Sequence, residues 1–207
     1  MEAALDGKDS DQTSMMSESC ILVDNEDVAI GSLSKLESHY MAGSLHRAFS
    51  VLLFNSKDEL LVQRRASSKI TFPSVWANSC CSHPLMLEGG TEESVVDAAI
   101  RKMEQELGIP SSISSDWDYN PVGRFMYSSR WDSEWVEREI DHVLLVRADV
   151  EVAPNPNEIG AHEWVDMDEL RRMVSQEGRW EDEVVAPWFK AIVKSYLCLL
   201  YTSPSPR

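Results

Sequence analysis

The chain has 207 residues, of which 35 are acidic and 19 are basic, so its formal charge is −16 at pH 7. This balance argues against a nucleic-acid partner, because a phosphate-binding surface needs clustered positive charge. The length suggests one domain, and a hydrophobic content of 43% can supply its core. Four cysteines without a secretory leader favour a reducing compartment and free thiols.

The apolar runs of the chain are only as long as strands. Residues 51–54 and 143–146 fall far short of the roughly 20 residues that cross a bilayer, so the sequence predicts no membrane span. Residues 1–18 are acidic and serine-rich with a single lysine, which fits neither a signal peptide nor an arginine-rich leader. We expect a disordered acidic arm there, a monomer, and a cytoplasmic location, with the peroxisome and the plastid left open.

Strand patterns dominate the first half of the chain. Residues 20–23 and 28–30 are apolar and flank a polar turn, which predicts a β-hairpin. Residues 48–54 and 60–63 form a second pair of β-rich runs around the polar turn at 55–59.

A helix follows the two glycines at 89 and 90. Thr91 is its expected N-cap, and the pattern stops at Gly108. The apolar residues of this helix recur at helical spacing: Val96, Ala99, Ile100, Met103 and Leu107.

The second half alternates strands and helices. Residues 140–146 predict a buried strand, and residues 163–165 predict a short strand that leads into a helix capped by Asp166. A last helix is expected near Pro187. The sequence therefore predicts an α+β domain with a mixed sheet over residues 19–197. Residues 198–207 do not continue a helical pattern, and we interpret them as a tail that need not be native.

Three histidines and two glutamates predict a metal site. Glu137 and Glu139 precede the strand at 140–146, and residues two apart in an extended segment share a face. With His39, His46 and His83 they would form an N₃O₂ or N₃O₃ cage suited to Mn²⁺, Zn²⁺ or Fe²⁺. The alternative, which is more common for such a set, is solvated or hydrogen-bonded histidines.

A dense polar segment at residues 78–84 holds two adjacent cysteines and a histidine. Cys81 precedes His83 by two residues and would be an activated thiolate if a metal or imidazolium lay nearby. The alternative is a buried inert thiol. The scarce basic residues near these motifs are candidate anion ligands: Lys35, Arg64, Arg65, Lys69, Arg101 and Lys102.

The helix that ends before Gly108 carries a degenerate Nudix-like pattern. Glu93 is followed, after seven residues, by Arg-Lys-Met-Glu-Gln-Glu-Leu-Gly-Ile at 101–109. Lys102 and Gln105 stand where the hydrolase version of the motif has carboxylates, and only Glu106 keeps the ligand chemistry. For Lys102 the alternative is a surface pair with Glu106 four residues on.

Taken in order, these motifs resemble the type I isopentenyl-diphosphate isomerases over residues 20–197, and the doubled cysteine resembles the eukaryotic members. The motifs are His39, His-Arg-Ala-Phe-Ser at 46–50, Arg65 with Lys69 and Phe-Pro at 72–73, Cys-Ser-His-Pro at 81–84, the degenerate helix and Glu-x-Glu at 137–139. The resemblance implies a Nudix-like α/β/α fold. It also implies an enzyme of isoprenoid biosynthesis that interconverts isopentenyl and dimethylallyl diphosphates by a metal-dependent 1,3-proton shift through a carbocation-like intermediate.

The resemblance also assigns binding roles. The ligands of a first divalent metal, Mn²⁺, Zn²⁺ or Mg²⁺, would be His39, His46, His83, Glu137 and Glu139. Glu106 would hold a Mg²⁺ that bridges to the substrate diphosphate. The diphosphate contacts would be Lys35, Arg65, Lys69, Ser82 and Lys102. Lys102 stands where the family usually has arginine, which keeps the charge but loses a bidentate fork.

The resemblance further implies that Cys81 and Glu139 form the acid–base pair, with Tyr127 supporting the protonation state of Glu139. Trp188 would shield the cation through its indole. Ordinary packing is the alternative for Tyr127 and Trp188. Two other functions stay open at this point: a Nudix-type pyrophosphohydrolase, and a metal-stabilised or thiol-sensing binding module.

Overall fold

A computed structural model describes residues 2–202 of the chain, with side chains from residue 4 to residue 196. Within these residues the strands form one mixed sheet: β1 (Ser19–Val23), β2 (Ala29–Ser34), β3 (His46–Phe54), β4 (Leu60–Arg65), β5 (Trp76–Ala77), β6 (Cys80–Ser82), β7 (Asn120–Arg130), β8 (Val136–Arg147) and β9 (Ile159–Val165). The helices are α1 (Ser10–Met15), α2 (Lys35–His39), α3 (Val95–Leu107), α4 (Ser111–Ser114), α5 (Met167–Ser175) and α6 (Pro187–Thr202). Short 3₁₀ turns occupy Glu2–Leu5 and Gly178–Trp180.

The centre of the sheet is the parallel pair of β3 and β8, in which His46 lies opposite Glu139. The predicted hairpin of β1 and β2 is confirmed, and the pair is antiparallel. β4 pairs antiparallel with β3 and with β9, while β7 pairs antiparallel with β8. The mixed sheet predicted from the sequence is therefore confirmed.

Helices cover both faces of this sheet. Along β3, Leu52 and Phe54 pack in one hydrophobic cluster with Phe189 and Ile192 of α6. Phe49, Val51 and Leu53, which alternate with them, pack in a second cluster with residues of α3. This alternation produces the α/β/α layering that the sequence resemblance implied.

Helix α3 begins later than predicted. Its N-cap is Ser94, whose hydroxyl accepts a hydrogen bond from the backbone N–H of Asp97 at 3.0 Å. Thr91 is not the cap, because its carbonyl accepts from the N–H of Leu87 and the N–H of Glu93 donates to the carbonyl of Leu85, so these residues pair with an extended segment. The predicted stop is confirmed, since Gly108 adopts a left-handed conformation with φ of 66°.

The last two helices begin where the sequence predicts. Asp166 caps α5 by accepting a hydrogen bond from the backbone N–H of Glu169 at 2.7 Å, and α6 starts at Pro187. Helix α6 runs on to Thr202, whereas the sequence pattern predicted no helix from residue 198. Leucine is a strong helix former, so Leu199 and Leu200 favour a backbone that stays helical beyond the periodic pattern. Residues 203–207 of the predicted tail lie outside the described residues.

The N-terminal segment differs from the disordered arm predicted over residues 1–18. Asp9 caps α1, and Gln12 is only 5% exposed because its side-chain amide donates to the carbonyl of Asn157 at 3.0 Å. Met16 is buried in a cluster with Ile70 and Trp135. These contacts reach across the chain, so local composition did not reveal them. Within the described residues no helix has the length and apolar character needed to cross a bilayer.

Candidate active site

Three imidazoles and one carboxylate converge at the start of the parallel strand pair. His39 ends α2, His46 begins β3 and His83 follows β6, and their ring centroids lie 4.6 to 5.0 Å apart. The Nε2 atoms of His39, His46 and His83 lie 3.7, 3.4 and 2.9 Å from Oε1 of Glu139. One ligand atom from each of these four buried residues lies within 4.8 Å of all the others.

Two of the three imidazoles, those of His39 and His46, are oriented as metal ligands usually are. Nδ1 of His39 lies 2.8 Å from the carbonyl of Lys35, and Nδ1 of His46 lies 2.7 Å from that of Ser44. A carbonyl only accepts, so each Nδ1 carries the proton and each Nε2 presents a lone pair. The buried Nε2 of His46 has no hydrogen-bond partner. Burial lowers the pKa of His39 to about 4, which keeps the ring neutral. This donor set fits a divalent metal.

The predicted ligand Glu137 lies beside this group of four. The hydroxyl oxygen of Tyr127 is 2.6 Å from Oε2 of Glu139 and 3.0 Å from Oε2 of Glu137. Burial and the charge of Glu139 raise the pKa of Glu137 to about 8. A phenol has a single proton to donate, so the proton of Glu137 satisfies the second contact. Tyr127 therefore links the two carboxyl groups in one hydrogen-bond chain.

A cleft of roughly 600 Å³, counting its open mouth, adjoins the metal-competent group, which consists of His39, His46, His83 and Glu139. Twelve of the predicted site residues line it: Lys35, Arg65, Lys69, Cys81, Ser82, His83, Lys102, Glu106, Tyr127, Glu137, Glu139 and Trp188. Of the other predicted residues, His39 and His46 belong to the adjoining group of imidazoles. The candidate anion ligands Arg64 and Arg101 do not line the cleft, because Arg64 donates to the carbonyl of Ser74 and Arg101 pairs with Glu93. The fold thus gathers residues from every predicted motif around one cavity.

The Cys81 thiol lies in this cavity next to a guanidinium group. Its Sγ is 3.9 Å from Nη1 of Arg65, and burial raises the pKa of Cys81 to about 12. Arg65 donates from Nε to the carbonyl of Phe72 and from Nη2 to that of Thr71, both at 2.9 Å. Phe72 has a φ of 47°, so these bonds hold a strained loop in place. Cys81 is thus a protonated thiol, and Arg65 offers Nη1 to the cavity.

An aromatic wall closes one part of the cavity. Trp188 is 2% exposed and donates from its indole Nε1 to Oδ1 of Asn78 at 3.1 Å. Its ring stands perpendicular to Phe72 at 5.3 Å and lies 6.2 Å from Tyr127. The indole is therefore fixed with its π surface among the residues that line the cavity.

Lysines gather at another part of the cavity. Lys102 is 1% exposed and its Nζ lies 3.2 Å from Oε1 of Glu106, so the surface pair weighed as an alternative is wrong, although the ion pair exists. Lys69 pairs with Glu158, and Lys35 lies 3.9 Å from Glu18. Each of these lysines has a glutamate partner, but an ammonium has three N–H donors, so this end of the cavity still offers donors to an anionic group.

Three residues near the cavity were missed by the sequence reasoning. Asp141 is 1% exposed, accepts from the Ser50 hydroxyl at 2.8 Å, and has an unpartnered Oδ1. It stands two residues after Glu139 on β8, so strand alternation could have identified it. Gln12 and Glu158 reach this region only through long-range contacts, for which the sequence carries no local signal.

Comparisons with known proteins show which family and which relatives this chain is similar to. The profile of the NUDIX domain matches residues 44–189. Isopentenyl-diphosphate Delta-isomerase 1, chloroplastic, of Cannabis sativa is 42% identical over 88% of this chain and 67% of its own length. Isopentenyl-diphosphate Delta-isomerase I of Camptotheca acuminata is 41% identical over 95% and 88%. The corresponding Gibberella zeae isomerase is 41% identical over 94% and 80%.

Solved structures share the fold at lower identity. A Deinococcus radiodurans protein superposes with a TM-score of 0.63 at 22% identity, covering 86% of this chain and 98% of its own. A MutT protein of Methanosarcina mazei superposes with a TM-score of 0.53 at 16% identity, covering 75% and 94%. At these identities the likeness supports the Nudix fold alone.

Proposed function

This chain belongs to the isopentenyl-diphosphate Delta-isomerase family, and from that premise we propose how its own residues carry out the reaction. The protein is an enzyme of isoprenoid biosynthesis that interconverts isopentenyl diphosphate and dimethylallyl diphosphate. The observation that carries the residue-level proposal is a single cavity lined by a protonated thiol, a buried carboxylate, an indole and lysines.

The chemistry moves a proton along an allylic system. In the forward direction an acid adds a proton to the terminal carbon of the double bond, which leaves a tertiary cation. A base then removes a proton from the carbon that lies between the cationic centre and the carbon bearing the diphosphate. The electrons of that C–H bond form the new double bond. We assign these tasks to Cys81 and Glu139, and the direction of the reaction decides which of them donates. The raised pKa of Cys81 supports this assignment, because the thiol retains a proton that it can transfer.

Trp188 and Tyr127 would support the pair. A tertiary carbocation reacts rapidly with water, so the site must exclude water and stabilise positive charge. The buried indole of Trp188 provides a π face for this purpose, a cation–π contact of about 2 kcal/mol when desolvated. Tyr127, through its contact with Glu139, would hold that carboxyl in the correct protonation state.

The substrate diphosphate would bind at the lysine end of the cavity. The proposed contacts are Lys35, Lys69, Lys102, Ser82 and Arg65. Arg65 would contribute chiefly from Nη1, because its Nε and Nη2 already donate to the 71–72 loop.

Two groups of this chain would hold metal ions. Glu106 would take Mg²⁺, and His39, His46, His83, Glu139 and the adjoining Glu137 would take Mn²⁺, Zn²⁺ or Mg²⁺. When bound, such ions neutralise charge on the diphosphate and on the carboxylates. A cytoplasmic location and a monomeric state stay predictions.

Product analysis separates this function from the pyrophosphohydrolase alternative. With isopentenyl diphosphate and Mg²⁺ we expect an acid-labile allylic diphosphate and no release of phosphate. With nucleoside diphosphates we expect no phosphate at all, because Lys102 and Gln105 replace the carboxylates of the hydrolase motif. Phosphate release from nucleoside diphosphates, without any allylic product, would favour the hydrolase.

A further inference from the structure

Glu158 is a buried carboxylate that neither the family comparison nor the proposed chemistry uses. It precedes β9, its side chain is 1% exposed, and it forms an ion pair with Lys69. Gln12 of α1 also donates to its Oε1 at 3.1 Å. Lys69 and Gln12 both line the substrate cavity, so Glu158 contacts two parts of the cavity wall at once.

The backbone ties the Glu158 turn to the segment that carries Lys69. The N–H of Ala66 donates to the carbonyl of Glu158 at 2.9 Å, and the hydroxyl of Ser68 donates to the carbonyl of Asn157 at 3.0 Å. The N–H of Lys69 in turn donates to the carbonyl of Ala66 at 3.2 Å. Main chain and side chain therefore fix Lys69 against the same turn.

The charge of Lys69 depends on this neighbour. Burial lowers the pKa of Lys69 to about 8, and Glu158 is the larger of the two opposing negative charges, with Glu106 the other. Arg65 and Lys102 push the pKa of Lys69 further down. An ammonium has three N–H donors, so Lys69 can bond Glu158 and still offer donors to the cavity.

We propose that Glu158 is a positioning residue, which holds the Lys69 ammonium in the diphosphate end of the cavity before substrate binds. This inference rests on the proposed function, in which Lys69 contacts the diphosphate. Glu158 itself would stay behind Lys69 and act on the substrate only through that side chain and Gln12.

The test compares Glu158→Gln with Glu158→Asp and with the control Glu169→Gln. The glutamine side chain keeps the shape and loses only the charge. The Glu169 control removes the charge that pairs with Arg172 and Arg179 and accepts from the indole of Trp180, and none of these residues lines the cavity. For Glu158→Gln we expect KM for isopentenyl diphosphate to rise about tenfold with kcat within about twofold of wild type, the scale of one charge-assisted contact. Glu158→Asp keeps the charge but shortens the side chain by one methylene, so it should recover only part of the binding, with KM and Kd still about threefold above wild type.

Two further readouts separate positioning from a merely structural role. In Glu158→Gln the decline of kcat/KM at high pH should move to lower pH, because Lys69 loses the anion that keeps it protonated. Calorimetry with inorganic pyrophosphate should show a Kd raised by the same factor as KM. An unchanged KM and Kd, a loss of kcat at constant KM, or an equal effect in Glu169→Gln would overturn the inference.

Pyrophosphate binding also distinguishes this inference from the proposed function. If wild type fails to isomerise the substrate but its pyrophosphate affinity depends on Glu158, the function fails and the positioning role stands. If wild type isomerises the substrate and the Kd for pyrophosphate does not change when Glu158 is replaced, the positioning role is wrong and the proposed function stands. Should Glu158→Gln not fold, Glu158→Asp still decides, since a shortened carboxylate that leaves KM, Kd and the pH profile all at wild-type values contradicts the role.

Discussion

Replacing Tyr127 with Phe removes the hydroxyl that links the two active-site carboxyl groups. In the structure this oxygen lies 2.6 Å from Glu139 and 3.0 Å from Glu137, and all three side chains line the cavity. The phenyl ring would remain, with its packing against Phe125 at 5.7 Å. Tyr127→Phe therefore isolates the hydrogen bonds from the aromatic contacts.

The expected effect is a loss of turnover with little loss of binding. A hydrogen bond to a charged group contributes about 1.5 to 3 kcal/mol, and losing it at Glu139 corresponds to a roughly 10- to 150-fold fall in kcat. KM should stay within about twofold of wild type, because the diphosphate would bind at Lys35, Lys69 and Lys102.

The assay is steady-state conversion of isopentenyl diphosphate with saturating Mg²⁺, with unfolding curves to confirm the fold. Tyr119→Phe is the matched control, since Tyr119 donates its hydroxyl proton to the carbonyl of Ser114 at 3.1 Å and does not belong to the cavity lining. A wild-type kcat in Tyr127→Phe would refute the reasoning and favour the alternative in which Tyr127 only packs against its neighbours. An equal loss in both variants would also refute it.

Three other substitutions test separate parts of the account. Cys81→Ala should abolish isomerisation but keep the metal content and the fold, as measured by elemental analysis and circular dichroism. The control Cys20→Ala should stay active. Loss of metal in Cys81→Ala would instead favour a structural site. His46→Ala should lose bound divalent metal, whereas the exposed His162→Ala should keep it. Burial opposes the charge of Asp27, but Arg47 and His142 hold its pKa below 3.8. Asp27→Asn should therefore lower the free energy of unfolding at pH 7, and this deficit should shrink as the pH falls below 3.8; a deficit that is constant with pH would contradict the ion pairing.

Only part of the metal-competent group could be predicted from local signals in the sequence. The i, i+2 spacing of Glu137 and Glu139 sets both on one face of β8, and a strand pattern at 48–54 starts just after His46. The parallel register that sets His46 opposite Glu139 was not visible in the sequence. The resemblance to the family, rather than the spacing of the residues, indicated that the histidines lie next to that strand.

The rest of the site depends on contacts between distant parts of the chain. Gln12 and Glu158 are 146 positions apart, and neither belongs to a periodic or spaced motif. The arm looked disordered because its composition is polar, yet Gln12 and Met16 are buried by partners elsewhere. The late start of α3 also depends on contacts outside the helix, since Thr91 and Glu93 form backbone hydrogen bonds with Leu87 and Leu85.

Proton NMR of isopentenyl diphosphate in D₂O tests the central claim most directly. With the purified protein and Mg²⁺, the vinylidene signals should disappear while deuterated dimethylallyl diphosphate accumulates, because protons exchanged through Cys81 and Glu139 come from solvent. A folded, metal-loaded protein that leaves the vinylidene signals unchanged would contradict the account.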